Sequence, residues 1–149
     1  MLNLNLPSYQ VRLGGSPEKP QIFDCLRRKY VSLTPEEWVR QHFVHYLIHF
    51  KGYPASLLAN EVKLQMGSKT LRADTLLYGQ DLKVRMIIEY KAPSIAITEK
   101  VFNQISTYNM LLNVDYLVVS NGLKHYCCKV GNNSEKYLFL EDIPDYDNL

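Results

Sequence analysis

Two runs rich in β-forming residues, 71–78 (Leu-Arg-Ala-Asp-Thr-Leu-Leu-Tyr) and 84–91 (Val-Arg-Met-Ile-Ile-Glu-Tyr-Lys), flank the turn-rich stretch Gly79-Gln80-Asp81-Leu82-Lys83. That pattern predicts an antiparallel hairpin. Facing residues in such a hairpin keep a constant sum of position numbers. Pairing Asp74 with Glu89 centres the turn between Asp81 and Leu82, where the turn residues lie. The two Cβ atoms would then stand about 4.5–5.5 Å apart on one face. Lys91, two residues beyond Glu89, projects to the same side because strand side chains alternate. The run Met86-Ile87-Ile88 is apolar on both faces, as in a buried central strand.

Elsewhere the period becomes helical. Thr34, Pro35 and Glu37 give the punctuation of a helix start: an N-cap, a first-turn proline and a capping box. Val39, Phe43, Tyr46, Leu47 and Phe50 follow as a buried face, and Gly52 with Pro54 ends the helix. A second helix is expected over 98–112. Thr98 caps it, Glu99 suits its first turn, and Val101, Phe102, Ile105, Leu112 and either Tyr108 or Asn109 form its apolar stripe. Residues 115–120 read as a short apolar strand closed by Asn121-Gly122. Residues 124–130 and 137–140 read as a final hairpin around Gly131-Asn132-Asn133, and 9–13 with 21–23 as short strands around a turn-rich loop. Gly67-Ser68-Lys69-Thr70 lacks the upstream glycine and the Gly-Lys pair of a phosphate-binding loop, and reads as a β-turn. Hairpin, helix, strand is the order of an α/β fold. The expectation is a mixed sheet of about five or six strands with flanking helices. One domain is expected over 1–149, with N-terminal strands in 1–30, the core in 31–126, and a hairpin with an acidic tail in 127–149.

Two carboxylates that close repel each other unless a cation or a proton sits between them. Hard oxygen ligands of this kind suit Mg²⁺ or Mn²⁺, which keep several waters and accept phosphate oxygens. A lysine beside them can orient an attacking water or neutralise charge on a phosphorane. Metal-assisted hydrolysis of a phosphodiester needs those parts. The plain alternative is a solvent-facing strand end, with Glu89 and Lys91 forming a weak surface pair. Charges that terminate a run as apolar as Met86-Ile87-Ile88 are costly without a role.

These residues resemble a known family. Asp74, Glu89-x-Lys91 and Gln104-x-x-x-Tyr108 resemble the PD-(D/E)xK nuclease pattern, with the Gln-x-x-x-Tyr motif of its RecB-like branch. Leu33-Thr34-Pro35-Glu36-Glu37-Trp38-Val39-Arg40-Gln41 is similar to the opening helix of the nuclease domain at the N-terminus of type I restriction enzyme R subunits. Arg72-Ala73-Asp74, Ile88-Glu89-Tyr90-Lys91-Ala92-Pro93 and Val119-Ser120-Asn121-Gly122 are similar to its later motifs. The resemblance runs from about residue 22 to about residue 126. It implies a restriction-endonuclease-like core and hydrolysis of DNA with Mg²⁺ or Mn²⁺. Asp74 and Glu89 would hold the metal, with Glu37 completing the set, Lys91 would serve the water, and Gln104 with Tyr108 would support the site. Two departures stand out: Ala73 replaces the proline of the family's name, and no DNA-translocating ATPase follows within these residues. A separate specificity or motor subunit is the implied partner, and a homodimer is compatible. The competing class is a catalytically silent nucleic-acid-binding or assembly module that keeps the fold. RNA remains open as the substrate.

Composition changes the picture little. A chain of 149 residues buries about two-thirds of its unfolded surface without staples. Net charge is only +2, so a nucleic-acid footprint has to be local. Arg27-Arg28-Lys29 is the dense basic run and, with Arg72, forms the candidate phosphate contact; its plainer reading is a solvated face. Residues 1–10 lack the pattern of a signal peptide and no apolar run approaches a membrane span, so the cytoplasm is expected and a membrane partner is not. His42, His45 and His49 share a helical spacing but lack the arrangement of a zinc protease, and read as a polar helix face. Cys25, Cys127 and Cys128 read as packed free thiols.

Overall fold

Nine strands and two helices follow one another along the chain, in a computed structural model that describes residues 2–131 and 137–149, without the side chains of Met66 and of residues 108–111. Strands β1 (Leu13–Gly15), β2 (Pro20–Asp24) and β3 (Lys29–Ser32) pair antiparallel as a small sheet. Helix α1 (Pro35–Phe50) leads into β4 (Leu58–Met66), β5 (Lys69–Tyr78) and β6 (Val84–Tyr90). Helix α2 (Glu99–Leu112) then crosses to β7 (Tyr116–Ser120), followed by β8 (His125–Val130) and β9 (Tyr137–Leu140). The last six strands form one sheet in the order β4-β5-β6-β7-β8-β9. Among the described residues only the β6–β7 pair, which α2 connects, is parallel. This is a mixed α/β fold. Among the same residues no helix is long and apolar enough to cross a membrane.

The sheet is covered on both sides. Val39, Phe43 and Leu47 of α1 pack with Leu77, Met86, Ile88 and Val118. Ile105 of α2 packs with Leu76, Ile87, Leu117 and Val119 on the opposite face. Burial from two sides explains why the central strands read as unbroken apolar runs rather than alternating ones. The β5–β6 ladder has the expected register, with Thr75 opposite Ile88, Leu76 opposite Ile87 and Leu77 opposite Met86. A bulge at Leu77/Tyr78 leads into the turn, where the Leu82 N–H donates to the Gly79 carbonyl at 2.9 Å. Leu82 adopts φ 64° there.

Both helix starts carry the expected N-cap bond. Thr34 accepts from the Glu37 N–H at 3.1 Å and Thr98 from the Val101 N–H at 3.3 Å. Some expectations fail. Phe50 is 58% exposed, because the core stripe of α1 ends at Leu47 and the helix stops with Lys51 as its cap. The first strand lies at Leu13–Gly15 rather than over 9–13, and Tyr9 instead stacks its ring on His45 at 4.3 Å. Strands β3 and β4 are additions. In β4 the alternation is obscured by Asn60, which is buried despite being polar. Gly67-Ser68 is the turn joining β4 to β5, whereas Lys69 and Thr70 already belong to β5.

Candidate metal site on the central hairpin

Glu89 lies next to the end of β6 and has the parity of Ile87, so its side chain leaves the sheet on the α2 side. Tyr90, with opposite parity, goes to the α1 side and meets Phe43 with ring centroids 5.8 Å apart. The register carried on from Thr75–Ile88 sets Asp74 against Glu89. Two hydrogen bonds lock the pair crosswise. The Asp74 N–H donates to Glu89 Oε1 at 3.3 Å, and the Tyr90 N–H donates to Asp74 Oδ2 at 2.9 Å. Burial, followed by the neighbouring Asp74 carboxylate, pushes the Glu89 carboxyl well above the usual carboxylate range, and Lys91 opposes that rise. The site therefore holds an excess of negative charge that a cation or a proton must neutralise.

Behind it, on the α1 side, lies a second group of acidic residues. Arg40, 6% exposed, donates from Nη1 to the Asp74 carbonyl oxygen at 2.9 Å. Its Nε and Nη2 bond both oxygens of Glu37 at 2.8 and 2.6 Å, and Nη2 also reaches Glu61 Oε1 at 2.8 Å. Arg27 links Glu37 at 3.0 Å to Asp24 at 2.5 Å. From Asp24 the chain of bonds continues through Asn60 and Thr75 to the Tyr90 hydroxyl, at 3.0, 2.6 and 3.0 Å. Burial raises the carboxyls of Asp24 and Glu37, but their hydrogen bonds outweigh it and hold both below their ordinary values.

Residues 35–144 match the family model described as the type I restriction enzyme R protein N terminus (HSDR_N). The chain belongs to that family. A solved fragment described as a putative HsdR subunit of a type I restriction enzyme from Vibrio vulnificus YJ016 shares its fold, with a TM-score of 0.53 at 19% identity. The likeness covers 77% of this chain and 24% of that one, so the present chain spans about a quarter of its length. No curated protein matches.

Within this R-protein N-terminal domain the expected site residues do not all meet. Asp74 and Glu89 meet, and the charge of Lys91 opposes the rise of the Glu89 carboxyl. Glu37 has another occupation. Its two oxygens accept four hydrogen bonds, from Arg27, twice from Arg40, and from Gln41. A carboxylate offers about four lone-pair sites, so none is left for a metal. For the same reason Glu37 does not return to the Thr34 N–H to complete the capping box. Gln104 is exposed on α2, and the Tyr108 side chain lies outside the described residues. Arg27 is committed to Asp24 and Glu37, whereas Arg28 and Lys29 extend beyond that network. Arg72 is 60% exposed and pairs with Glu61 at 3.4 Å. Among the histidines, His45 and His49 pack ring to ring at 4.3 Å, and His42 bonds the Trp38 carbonyl. Sequence reasoning missed Arg40, Glu61, Asn60 and Thr75. The available signal was Arg40 three residues after Glu37, an oppositely charged pair at the spacing that brings side chains together on one helix face.

Among the described residues no three His, Cys, Asp or Glu side chains gather as a metal site. Two carboxylates still fit a hard cation such as Mg²⁺, which keeps most of its waters and often takes only one or two protein carboxylates. Such an ion would neutralise the crowded charge on Asp74 and Glu89.

Proposed function

We propose that this domain is a divalent-metal-dependent nuclease that hydrolyses phosphodiester bonds in DNA, working with other subunits of a restriction system that supply selectivity or movement. The observation that carries this reading is the facing pair Asp74 and Glu89, crowded, half-buried and short of positive partners, with Lys91 beside it. Asp74 and Glu89 would hold Mg²⁺ or Mn²⁺. The ion, when bound, supplies Lewis acidity toward a phosphate oxygen and a water of lowered pKa. Lys91 orients that water or offsets charge developing on the phosphate. Family membership adds the restriction context.

The purified protein is expected to cut DNA with Mg²⁺ or Mn²⁺ and to stop in EDTA. Asp74→Ala and Glu89→Ala should each abolish cutting with the circular dichroism of the fold retained. Lys91→Ala should lose most turnover while binding Mn²⁺ like the wild type in calorimetry. Cutting that survives both carboxylate substitutions would remove the metal reading.

A further inference from the structure

Glu61 is the residue whose backbone does not suit its place. It lies in β4, yet its φ is 57°, in the left-handed region that residues with a side chain rarely adopt. The pairs on either side, Asn60 with Thr75 and Val62 with Ala73, set it opposite Asp74. Directly opposed residues of an antiparallel pair project to the same face. An extended Glu61 would therefore add a third carboxylate beside Asp74 and Glu89. Instead its carboxylate accepts from Arg40 Nη2 at 2.8 Å and pairs with Arg72 Nε at 3.4 Å. The same Arg40 holds the Asp74 carbonyl at 2.9 Å.

We propose that Arg40 and Glu61 are positioning residues for the metal site: the left-handed turn at Glu61 withdraws its carboxylate from Asp74 and gives it to Arg40, which fixes the Asp74 backbone and hence the carboxylate that faces Glu89. This rests on the metal reading of Asp74 and Glu89 and deepens it. Unfavourable backbone conformations persist only where the surroundings over-determine them, and Arg40 with Arg72 does so here. The planar fork of Arg40 is what lets one side chain serve Glu37, Glu61 and a main-chain oxygen together; a lysine cannot reproduce that geometry.

The test is Mn²⁺ titration of the full chain by calorimetry, read beside its thermal midpoint. Arg40→Lys is expected to weaken Mn²⁺ binding by about tenfold or more, the scale of losing a group that orients a ligand. Glu61→Ala, which frees β4 to extend and removes the anchor on Arg40, should also weaken it, and Glu61→Gln should recover part of that loss because its amide oxygen still accepts from Arg40. A merely structural role would lower the melting midpoint and leave the dissociation constant alone. That result for Glu61→Ala overturns the proposal, even if Arg40→Lys fails to fold. Glu61→Gln losing as much affinity as Asp74→Asn would make Glu61 a ligand and overturn it too. Wild-type protein that takes up no Mn²⁺ removes the metal reading underneath, an outcome told apart because it appears before any substitution is made.

Discussion

Two pairs of carboxylates lie on opposite sides of the same hairpin and meet opposite fates. On the α1 side, Asp24 and Glu37 are bound by two guanidiniums and by amide and N–H donors, and both are held in the charged form. On the α2 side, Asp74 and Glu89 face each other with the Lys91 ammonium nearby, and Glu89 is driven toward its protonated form. The first arrangement is electrostatically closed; the second is open to a cation. Burial alone does not explain the difference, because Asp24 and Glu37, the more deeply buried pair, are the ones held charged, while Asp74 and Glu89 are half-buried. What separates them is the count of donors. A buried carboxylate that has all its hydrogen bonds is a structural part, whereas a crowded one without them is poised to bind something positive. Arg40 touches both sites, through Glu37 and through the Asp74 carbonyl.

Removing a charge from each side is the strongest way to break that comparison. Arg40→Ala leaves Glu37 buried without its main partner, and is expected to cost about 3–5 kcal/mol in urea unfolding. Glu89→Gln relieves a repulsion, so the metal-free protein should be at least as stable as the wild type, while Mn²⁺ binding is lost. Equal destabilisation by the two substitutions would mean that the hairpin carries one structural network rather than two sites of different kind.

Titration sharpens it further. The carboxyls of Asp24 and Glu37 are lowered in the folded state, so their contribution is present above the unfolded values and is lost as the pH falls through the folded ones. Glu89 is raised, so the sign reverses. Its folded form holds a proton that the unfolded chain has already released, and stability is lost as pH rises from the ordinary carboxylate value toward the raised one. The metal-free wild type should therefore lose thermal stability relative to Glu89→Gln as the solution becomes more basic. Mn²⁺ should bind more tightly over the same window, since a ligand must shed its proton first. Metal affinity that is flat with pH, together with parallel melting curves, would place Glu89 outside the coupling described here.

How far the sequence reveals this depends on the range of the interactions. The hairpin register and both helix starts are local, and Asp74 pairs with Glu89 from turn chemistry and spacing alone. The mixed character of the sheet follows from the hairpin-helix-strand sequence, because a parallel pair needs a crossover. The long-range part of the buried arginine network is not legible. Arg27 and Glu37 are ten residues apart, Arg40 and Asp74 thirty-four, and nothing in either local pattern says that they meet. The family resemblance therefore assigns Glu37 to the metal and the basic run assigns Arg27 to phosphate, whereas the folded chain uses them on each other. The left-handed Glu61 is equally hidden, because a glutamate in a strand carries no turn signal of the kind that glycine or asparagine would give.

The place of Arg27 leads to the smallest of the expected effects, on the salt dependence of DNA binding. Arg27, Arg28 and Lys29 are adjacent in sequence but not equivalent in space. Arg27 bridges Asp24 and Glu37, while Arg28 and Lys29 lie beyond that bridge. Taking one basic side chain away from a duplex phosphate should reduce the slope of log affinity against log salt by about 0.9. Arg28→Ala combined with Lys29→Ala should thus flatten the slope by about two units if both touch phosphate. Arg72→Ala, on the other side of the hairpin, tests a separate contact worth about one unit. Arg27→Ala should behave differently. Its loss lowers the melting midpoint, at a cost of about 1.5–3 kcal/mol for a hydrogen bond between charged groups, and leaves the salt slope of the folded protein as it was. A slope that responds to Arg27 but not to Arg28 and Lys29 would mean that the guanidinium leaves Asp24 and Glu37 when DNA binds, and the closed side of the comparison would then be an opening one.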